Sequence, residues 1–393
     1  MLFQSLDSKK ECIGIYADGR IHYDNFPPSL IKTWDYFPFA SEGVVEYAKI
    51  YCGGLSLTEV CPLHLKDDWT KAQQKLKAFL RSFKEAKICL HENCFFDLVP
   101  ARFLLEFFYL KNEICEAVFN NYARPENHDF LADVGAVLHE VSSQRLNINK
   151  SSLRPFLGTP RARDLWKKLD HSSYINYNLF GAKTGRLTTK KNSFPILTLD
   201  KKFRSVIEPT NDWFVELDFN AAELRTLLAL CGLEQPVDDL HEWNIENIFR
   251  GLGTRQEAKK RVFSWLYNPA SQDHLLNRAY DRDLVLQKYW DGAQVKTIYN
   301  RTIDADKHHA LNYTIQSTTS DLFLDRVATI HSLLKEHSSF VAFFIHDSLV
   351  LDVCDSEKQL LREIISLFSN TRLGEYKVNV SAGKNFGDMR RIQ

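Results

Sequence analysis

Residues 213–232 read WFVELDFNAAELRTLLALCG, and this stretch decides the fold. The apolar run up to Phe219 predicts a buried strand, and the leucine-rich segment after it predicts a helix that ends at Gly232. Asp218 is therefore expected where a strand gives way to a helix. An ionised carboxylate beside such an apolar run is costly unless something compensates its charge. The stretch thus predicts a charge partner for Asp218.

A second acidic residue follows another apolar run. FVAFFI and LVLDV flank His346, Asp347 and Ser348, which predicts a strand pair with this trio at its turn. Two carboxylates on adjacent strands can hold two divalent ions about 3.5–4 Å apart, which suits in-line phosphoryl displacement. Each aspartate could instead cap a turn or a helix. A hydrolase relay is disfavoured, because three consecutive side chains at a tight turn diverge.

Four residues recur at every fourth position further along the chain. Arg255, Lys259, Phe263 and Tyr267 would form one stripe on a helix over residues 254–267. The two cations could bind the β- and γ-phosphates of a nucleoside triphosphate, with Phe263 near the sugar and Tyr267 near the base. The alternative is an amphipathic helix whose aromatic residues belong to the core and whose cations face solvent.

Six segments resemble, in the same order, the motifs of family A (Pol I-like) DNA polymerases. They are TGRLTT (184–189), LDFNAAELRTLLALCG (217–232), the ladder from Arg255 to Tyr267, NYTIQSTTSDLF (312–323), FFIHDSLVLDV (343–353) and GKNF (383–386). The resemblance runs from about residue 175 to the end of the chain. It implies an α+β fold of the right-hand type, in which the palm contains an antiparallel sheet and the fingers and thumb are helical.

The resemblance also implies roles for single residues. Asp218 and Asp347 match the catalytic ligands of two Mg²⁺ ions, for which Mn²⁺ can substitute, and the carbonyl of Phe219 would complete one site. Glu223 matches the steric gate that excludes a ribose 2′-hydroxyl. The remaining dNTP-binding positions of the family match the ladder, with Lys259 in a catalytic role as well: Arg255, Lys259, Phe263 and Tyr267.

Other positions match residues that contact DNA. By resemblance these are Arg186, Asn312, Gln316 and His346. Between residues 150 and 204, basic residues far outnumber the acidic ones, which are Asp164, Asp170 and Asp200. Such an excess is typical of phosphate binding, although a solvated basic face without a ligand is the alternative. The phosphate contacts expected in this region are Lys150, Arg154, Arg161, Arg163, Lys167 and Lys168.

The chain also departs from the family pattern. Ser348 stands where motif C usually has Glu, which should weaken a secondary contact but spare the two essential ligands. Asn268 replaces the Gly that follows the fingers Tyr, and the span from Tyr267 to Gln316 is shorter than is common. The pattern is more similar to a phage-encoded member than to a cellular repair enzyme.

The order of these motifs along the chain predicts a domain organisation. We expect a small α/β domain over 1–105, the thumb over 106–185, palm with motif A over 186–240, fingers with motif B over 241–305 and palm with motif C over 306–393. In the first domain we expect a hairpin at Asp18 and Gly19, an amphipathic helix at 67–86 and a short strand in KICLHE at 87–92. Asn93 and Asp97 only faintly match an exonuclease motif, so this domain is expected to be a degenerate remnant or an unrelated α/β cap, in either case without 3′–5′ proofreading.

Composition limits the setting. The formal net charge of the 393 residues is zero, and the eight cysteines form no C-x-x-C, so reduced thiols are expected. The first residues lack the apolar core of a signal peptide. We therefore expect a protein of the cytoplasm, or of the host cytoplasm if phage-encoded, that acts in DNA replication without a membrane partner. Helicase, primase and single-strand-binding proteins are plausible partners.

Two other functions remain open at this stage. A single-subunit RNA polymerase would share the palm, but Glu223 and Tyr267 argue against it. A non-catalytic primer–template-binding protein would not need Asp218 and Asp347. The expected activity is therefore template-dependent addition of dNTPs to a primer 3′-hydroxyl by two-metal-ion nucleotidyl transfer.

Overall fold

The computed structural model describes the whole chain except Lys10, Glu42, residues 170–172, Pro269 and Gln393. Asp170, an acid of the basic segment, thus lies outside the described residues. Over the rest, contacts divide the chain into two compact units, Met1–His139 and Glu140–Gln393. The boundary expected between residues 105 and 106 falls inside a helix, Ala101–Asn121. The first unit is accordingly longer than the small domain expected from the sequence.

The first unit contains an antiparallel sheet in the order β1-β2-β3. Asp18 and Gly19 connect its second and third strands with φ of 49° and 71°, as a two-residue hairpin turn requires, so the predicted hairpin is confirmed. The strands of this unit are β1 (Phe3–Lys9), β2 (Cys12–Ala17), β3 (Arg20–His22), β4 (Lys32–Thr33) and β5 (Glu46–Tyr47).

Over its described residues, the first unit also contains four α-helices, joined by loops and turns. They are α1 (Ala48–Tyr51), α2 (Lys66–Glu85), α3 (Ala101–Asn121) and α4 (His128–Ser143), which runs past the unit boundary, with short 3-10 turns at Leu63–Leu65 and Phe95–Asp97. Helix α2 confirms the amphipathic helix. The strand expected in KICLHE is wrong: Lys87 has φ of 58° and the Ile88 amide donates to the Phe83 carbonyl over 2.8 Å. These residues close α2 and continue in turns.

The second unit is built around an antiparallel sheet in the order β13-β14-β10-β17-β18. Strand β10 lies at its centre and is paired on both edges. The predicted strand at 213–219 and the predicted strand pair around residue 346 are confirmed. The strands are β6 (Asn147–Ile148), β7 (Tyr177–Asn178), β8 (Thr188–Thr189), β9 (Ile207–Glu208), β10 (Trp213–Phe219), β11 (Gln294–Lys296), β12 (Thr302–Asp304), β13 (Phe340–Ile345), β14 (Ser348–Val353), β15 (Asn370–Thr371), β16 (Gly374–Glu375), β17 (Val378–Gly383) and β18 (Arg390–Arg391).

The second unit also contains helices, some of which pack against this sheet. The longest, Ala310–Leu334, packs against the helix after β10 and places buried Thr319 within 2.8 Å of Thr226. The helices are α5 (Pro160–Lys168), α6 (Ala222–Leu230), α7 (Leu240–Asn247), α8 (Arg255–Tyr267), α9 (His274–Ala279), α10 (Arg282–Tyr289), α11 (Ala310–Leu334) and α12 (Leu360–Ser369), with 3-10 turns at Lys150–Phe156, Ile196–Thr198, Lys201–Val206 and Asp355–Glu357. The predicted helix stop at Gly232 is confirmed, since this residue has φ of 72° just after α6.

A buried arginine fixes the chain between α6 and α7. The Arg225 guanidinium donates to the carbonyls of Asn220, Pro236 and Asp238 over 2.8, 2.7 and 2.8 Å. A buried guanidinium needs such acceptors to offset its desolvation. The clamp therefore sets where α7 begins, and with it the position of Asp239. Among the described residues, no helix is both long and apolar enough to cross a bilayer.

Candidate active site

The strand pairing brings the two predicted acids together. Asp218, near the end of β10, lies opposite Ser348, the first residue of β14. Ile345 and Ser348 also pair, so His346 and Asp347 form the two-residue turn between β13 and β14, with His346 at φ of 54°. Asp218 thus faces the residue that directly follows Asp347. Both side chains are partly exposed at the same end of the sheet.

The two carboxylates are electrostatically coupled. Burial raises the pKa of Asp218 to about 6; a hydrogen bond from Asn379 and the charge of Lys259 act against this rise, and the charges of Glu216 and Asp347 add to it. Burial also raises the pKa of Asp347, against the charges of Arg186 and His346. Two desolvated acids of like charge form a site where a divalent cation would be stabilised.

The donor set fits Mg²⁺, which prefers carboxylate and carbonyl oxygens. Among the described residues, none donates a hydrogen bond to Asp347, so its oxygens stay available to a ligand. The Phe219 side chain stacks on Phe368 at 4.2 Å between ring centroids and is buried. Only its main-chain carbonyl could therefore contribute to a metal site next to Asp218.

Asn379 orients the first of these acids. Its amide nitrogen lies 3.3 Å from Asp218 Oδ2, and its amide oxygen accepts from Arg391 over 2.9 Å. Because arginine only donates, the contact to Arg391 fixes which end of the amide faces Asp218. Sequence reasoning missed this residue; the one signal is its place in the strand before GKNF.

Helix α8 presents the predicted stripe next to its buried face. Ala258, Val262, Trp265 and Leu266 are buried, whereas the stripe of Arg255, Lys259, Phe263 and Tyr267 is at least partly exposed. The rings of Phe263 and Tyr267 stack with centroids 5.8 Å apart, and Lys259 Nζ lies 5.8 Å from the Phe263 centroid. Phe263 is only partly buried, whereas Tyr267 packs against the hydrophobic core of this unit. Lys259 is also close enough to Asp218 to lower the pKa of that carboxyl.

The first cation of the stripe already has a partner. Arg255 donates to Asp239 through Nε and a terminal nitrogen, at 3.2 and 2.7 Å. Asn220 donates to the same carboxylate over 2.7 Å, and Asp239 caps α7 by accepting from the His241 amide over 3.0 Å. A phosphate contact by Arg255 would require it to leave Asp239. Sequence reasoning missed Asp239, although an Asp before a helix is a recognisable cap.

Glu223, on the first turn of α6, forms an ion pair with Arg186. Burial raises the pKa of Glu223, and the charge of Arg186 opposes this. Gly185, just before Arg186, has φ of 75°, and a Cβ there would come within 2.6 Å of the Arg301 guanidinium. Arg301 is itself held by buried Asp321 at 2.6 Å. The turn that carries Arg186 is therefore supported by an ion pair that sequence reasoning missed.

The other predicted DNA contacts are distributed around this site. Asn312 and Gln316 are one helical turn apart on α11 and partly exposed. The Asn312 side-chain oxygen is buried and has no partner among the described residues. His346 is exposed at the turn beside Asp347. An unpaired acceptor and an exposed imidazole leave polar groups free to contact a ligand.

The predicted basic residues lie on the 3-10 turn Lys150–Phe156 and on α5. Three of them have partners in the protein. Arg163 donates to the Leu157 and Gly158 carbonyls over 3.0 and 3.1 Å, and Arg161 lies 3.8 Å from Asp200. Lys150 is 5.8 Å from the ring centroid of Trp166. The remaining members are exposed: Arg154, Lys167 and Lys168.

The first unit has a different chemistry. Cys12 and Cys94 form a disulfide, so the expectation of reduced thiols is wrong for this pair. Asp7 lies beside them; among the described residues, these three are the one group of at least three acids, His or Cys whose ligand atoms all lie within 4.8 Å. Asn93 donates to the Cys89 carbonyl, and Asp97 ends a 3-10 turn. Within the described residues, neither belongs to a close group of three potential metal ligands.

The raised pKa of Asp218 predicts a pH-dependent stability. The folded protein keeps this proton up to about pH 6, so the native state loses stability as the pH rises from about 4 through 6. Asp218→Asn should remove a cost of at most about 3 kcal/mol at pH 7.5 and change little at pH 4. The measurement is the melting temperature of both proteins at both pH values in EDTA. If the two melting temperatures differed by the same amount at both pH values, the raised pKa of Asp218 would be contradicted.

Comparisons with known proteins concern the sequence and the fold as a whole. No protein-family model matches the chain. DNA polymerase I of Chloroflexus aurantiacus is 24% identical over 272 residues, which are 55% of this chain and only 29% of that protein. The solved polymerase domain of Pol1 from M. smegmatis, in complex with a DNA primer-template and dNTP, matches with a TM-score of 0.57 at 13% identity, over 73% of this chain and 76% of that one. The chain therefore has the fold of a DNA polymerase I polymerase domain, and its sequence resembles the family A DNA polymerases.

Proposed function

We propose that this chain is a DNA-directed DNA polymerase that adds dNTPs to the 3′-hydroxyl of a primer. The observation that carries the proposal is the convergence of Asp218 and Asp347 at one end of the sheet. The charge of Lys259 also lowers the pKa of Asp218, against the rise caused by burial. Two acids suit the binding of metal ions, and a cation on an exposed helical stripe suits the phosphates of an incoming nucleotide.

Asp218, Asp347 and the Phe219 carbonyl would hold two Mg²⁺ ions, with Mn²⁺ as a substitute. Divalent ions bound there would activate the primer hydroxyl and stabilise the charge of the leaving phosphates. The chain's own residues position these groups: Asn379 orients Asp218, and the tight turn fixes Asp347. Lys259 would donate to the triphosphate.

Arg255 would bind the triphosphate by exchanging partners. Its guanidinium holds Asp239 through two nitrogens, a geometry that a phosphate can replace. Phe263 and Tyr267, stacked further along the stripe, would bind the sugar and the base. The Asp239 pair would then hold the empty state of α8, and nucleotide binding would release it.

In domain terms, the sheet with α6, α11 and α12 would be the palm, and α7 to α10 the fingers. The thumb would include the 3-10 turn Lys150–Phe156 and α5, whose exposed cations would neutralise phosphates without reading sequence. Binding of primer–template should then weaken steeply with salt. Arg186, Asn312, Gln316 and His346 would contact the duplex close to the new base pair.

The first unit would not proofread. Among its described residues, the one close group of at least three potential metal ligands is the Cys12–Cys94 disulfide with Asp7, whereas a nuclease would need several acids close together. Incubation of the protein with a 3′-mismatched primer and Mg²⁺ should leave the primer uncut. Metal-dependent release of the terminal nucleotide would contradict this part of the proposal.

Primer extension by the purified protein tests the central proposal. A labelled primer on a DNA template should lengthen with dNTPs and Mg²⁺, and not with rNTPs. Preference for rNTPs would identify an RNA polymerase instead. Binding of primer–template without extension under either condition would identify a non-catalytic binding protein.

The steric gate makes a separate prediction. Glu223→Ala should raise the incorporation of rNTPs relative to dNTPs by about a hundredfold, because it opens the space for a 2′-hydroxyl. Glu223→Gln keeps the bulk of the side chain but loses the charge that pairs with Arg186, and it should keep most of the discrimination. The ratio of kcat/KM values for one rNTP and its dNTP is the measurement. A ratio unchanged in Glu223→Ala would refute the gate.

A further inference from the structure

Ser348 holds a carboxylate from the neighbouring strand. The family motif has Glu at this position, directly after the second aspartate, whereas Ser348 is a short and buried side chain. Its hydroxyl donates to Glu216 Oε1 over 2.6 Å. The residue that replaces the family's glutamate is therefore in direct contact with a different glutamate, Glu216 of β10.

Strand geometry places Glu216 on the side of the acids. Glu216 and Asp218 are two residues apart on β10, so their side chains leave the same face of the sheet. Asp218 lies directly opposite Ser348, which therefore shares that face. Ser348, the residue that directly follows Asp347, thus contacts the Glu216 carboxylate on the face that also carries Asp218.

Glu216 has no cationic partner of its own. Within the described parts of the chain, no Lys, Arg or His lies within ion-pair distance of it. Glu216 is partly buried on the central strand of the sheet, two residues from Asp218. A carboxylate in such a place is costly unless a cation compensates it.

We propose that Glu216 supplies a third negative charge beside the metal site, carried by β10 instead of by residue 348 and oriented by Ser348. This inference rests on the proposed function for the identity of the site. Glu216 acts as a positioning residue: its charge raises the affinity for the divalent cation, and Asp218 and Asp347 remain the ligands. The carboxylate has moved from one strand to the adjacent one while keeping the same face.

Binding of Mn²⁺ provides a readout that does not depend on turnover. Electron paramagnetic resonance should follow free Mn²⁺ in a titration of protein bound to a dideoxy-terminated primer–template and dNTP. Glu216→Gln should weaken Mn²⁺ binding about tenfold, as typical for groups that support metal ligands. Ser348→Ala should weaken it less, by about threefold. Glu208→Gln is the matched control, because Glu208 is a partly buried strand glutamate that instead accepts from Asn149.

An exchange of the two side chains sharpens the test. Glu216→Ser combined with Ser348→Glu returns the carboxylate to the family position, and Mn²⁺ affinity should recover to within about threefold of wild type, well above Glu216→Ser alone. Melting temperatures in EDTA show that each variant is folded. If Glu216→Gln misfolds, the Mn²⁺ affinities of the exchange variant and of Ser348→Ala still test the role of Glu216.

The results separate the two proposals. Wild-type affinity in Glu216→Gln, together with lost affinity in Asp218→Asn, overturns the role of Glu216 and leaves the polymerase proposal intact. Weakened binding in Glu216→Gln in a protein that extends no primer supports the metal site and overturns the polymerase. Weakened binding together with a tenfold higher Mg²⁺ requirement for extension supports both.

Discussion

Asp218→Asn and Asp347→Asn should each lower the rate of primer extension by at least about a thousandfold, which corresponds to about 4 kcal/mol of lost transition-state stabilisation. Each change keeps the size of the side chain and removes the negative charge that would hold a divalent cation. Both residues lie at the same end of the sheet, and in the described part of the chain the one side-chain hydrogen bond of Asp218 is the contact to Asn379. Folding should therefore be retained.

Single-turnover extension of a labelled primer by a saturating amount of protein measures this effect. Asp212→Asn is the control, because Asp212 lies at the opposite end of β10 and accepts from the Asp355 amide over 2.8 Å. That variant should extend primers within about threefold of wild type. A fall of less than about tenfold for Asp218→Asn or Asp347→Asn would show that the reaction centre lies elsewhere.

Lys259→Met should reduce kcat/KM for the dNTP about a hundredfold, with a lower kcat and a higher KM together. The ammonium group would bind phosphate oxygens in the ground state and meet the greater charge of the transition state, so both constants respond. Lys259 is well placed for this, since it is exposed on the stripe and its charge reaches Asp218.

Lys260→Met is the matched control for this experiment. Lys260 is the next residue on the same helix and is equally exposed, but it does not belong to the stripe. Its replacement should change kcat/KM by less than about twofold, as is usual for an exposed surface residue. Equal losses in both variants would mean that α8 contributes only a general positive charge. Pre-steady-state incorporation of a single dNTP gives the two constants.

Much of the second unit could be predicted because its signals are local. Long apolar runs interrupted by one acid predicted β10 and the β13–β14 pair, and four-residue spacing predicted the exposed stripe of α8. The same reasoning failed at residues 87–92. There, Ile88 hydrogen-bonds back to Phe83 to close a helix, and this local use of the backbone outweighs the strand propensity of the segment.

Pairings between distant side chains could not be predicted. Cys12 and Cys94 are 82 residues apart, and no spacing rule links them. Arg255 was expected to bind phosphate, but in the structure it pairs with Asp239. The position of Asp239 depends on Arg225, whose guanidinium donates to three main-chain carbonyls between α6 and α7. Tertiary packing determines which cation pairs with which carboxylate, and this pairing cannot be predicted from the spacing of residues in the sequence.

The central place of β10 restricts how this protein can change in length. Every residue from Phe214 to Asp218 pairs with partners on both sides. Insertion or deletion of one residue here would turn Asp218 to the opposite face while leaving a strand of similar hydrophobicity. Length polymorphism among relatives, and splice points for chimaeras, should therefore avoid this strand and fall in its flanking loops, where a change in length leaves the acid facing the same way.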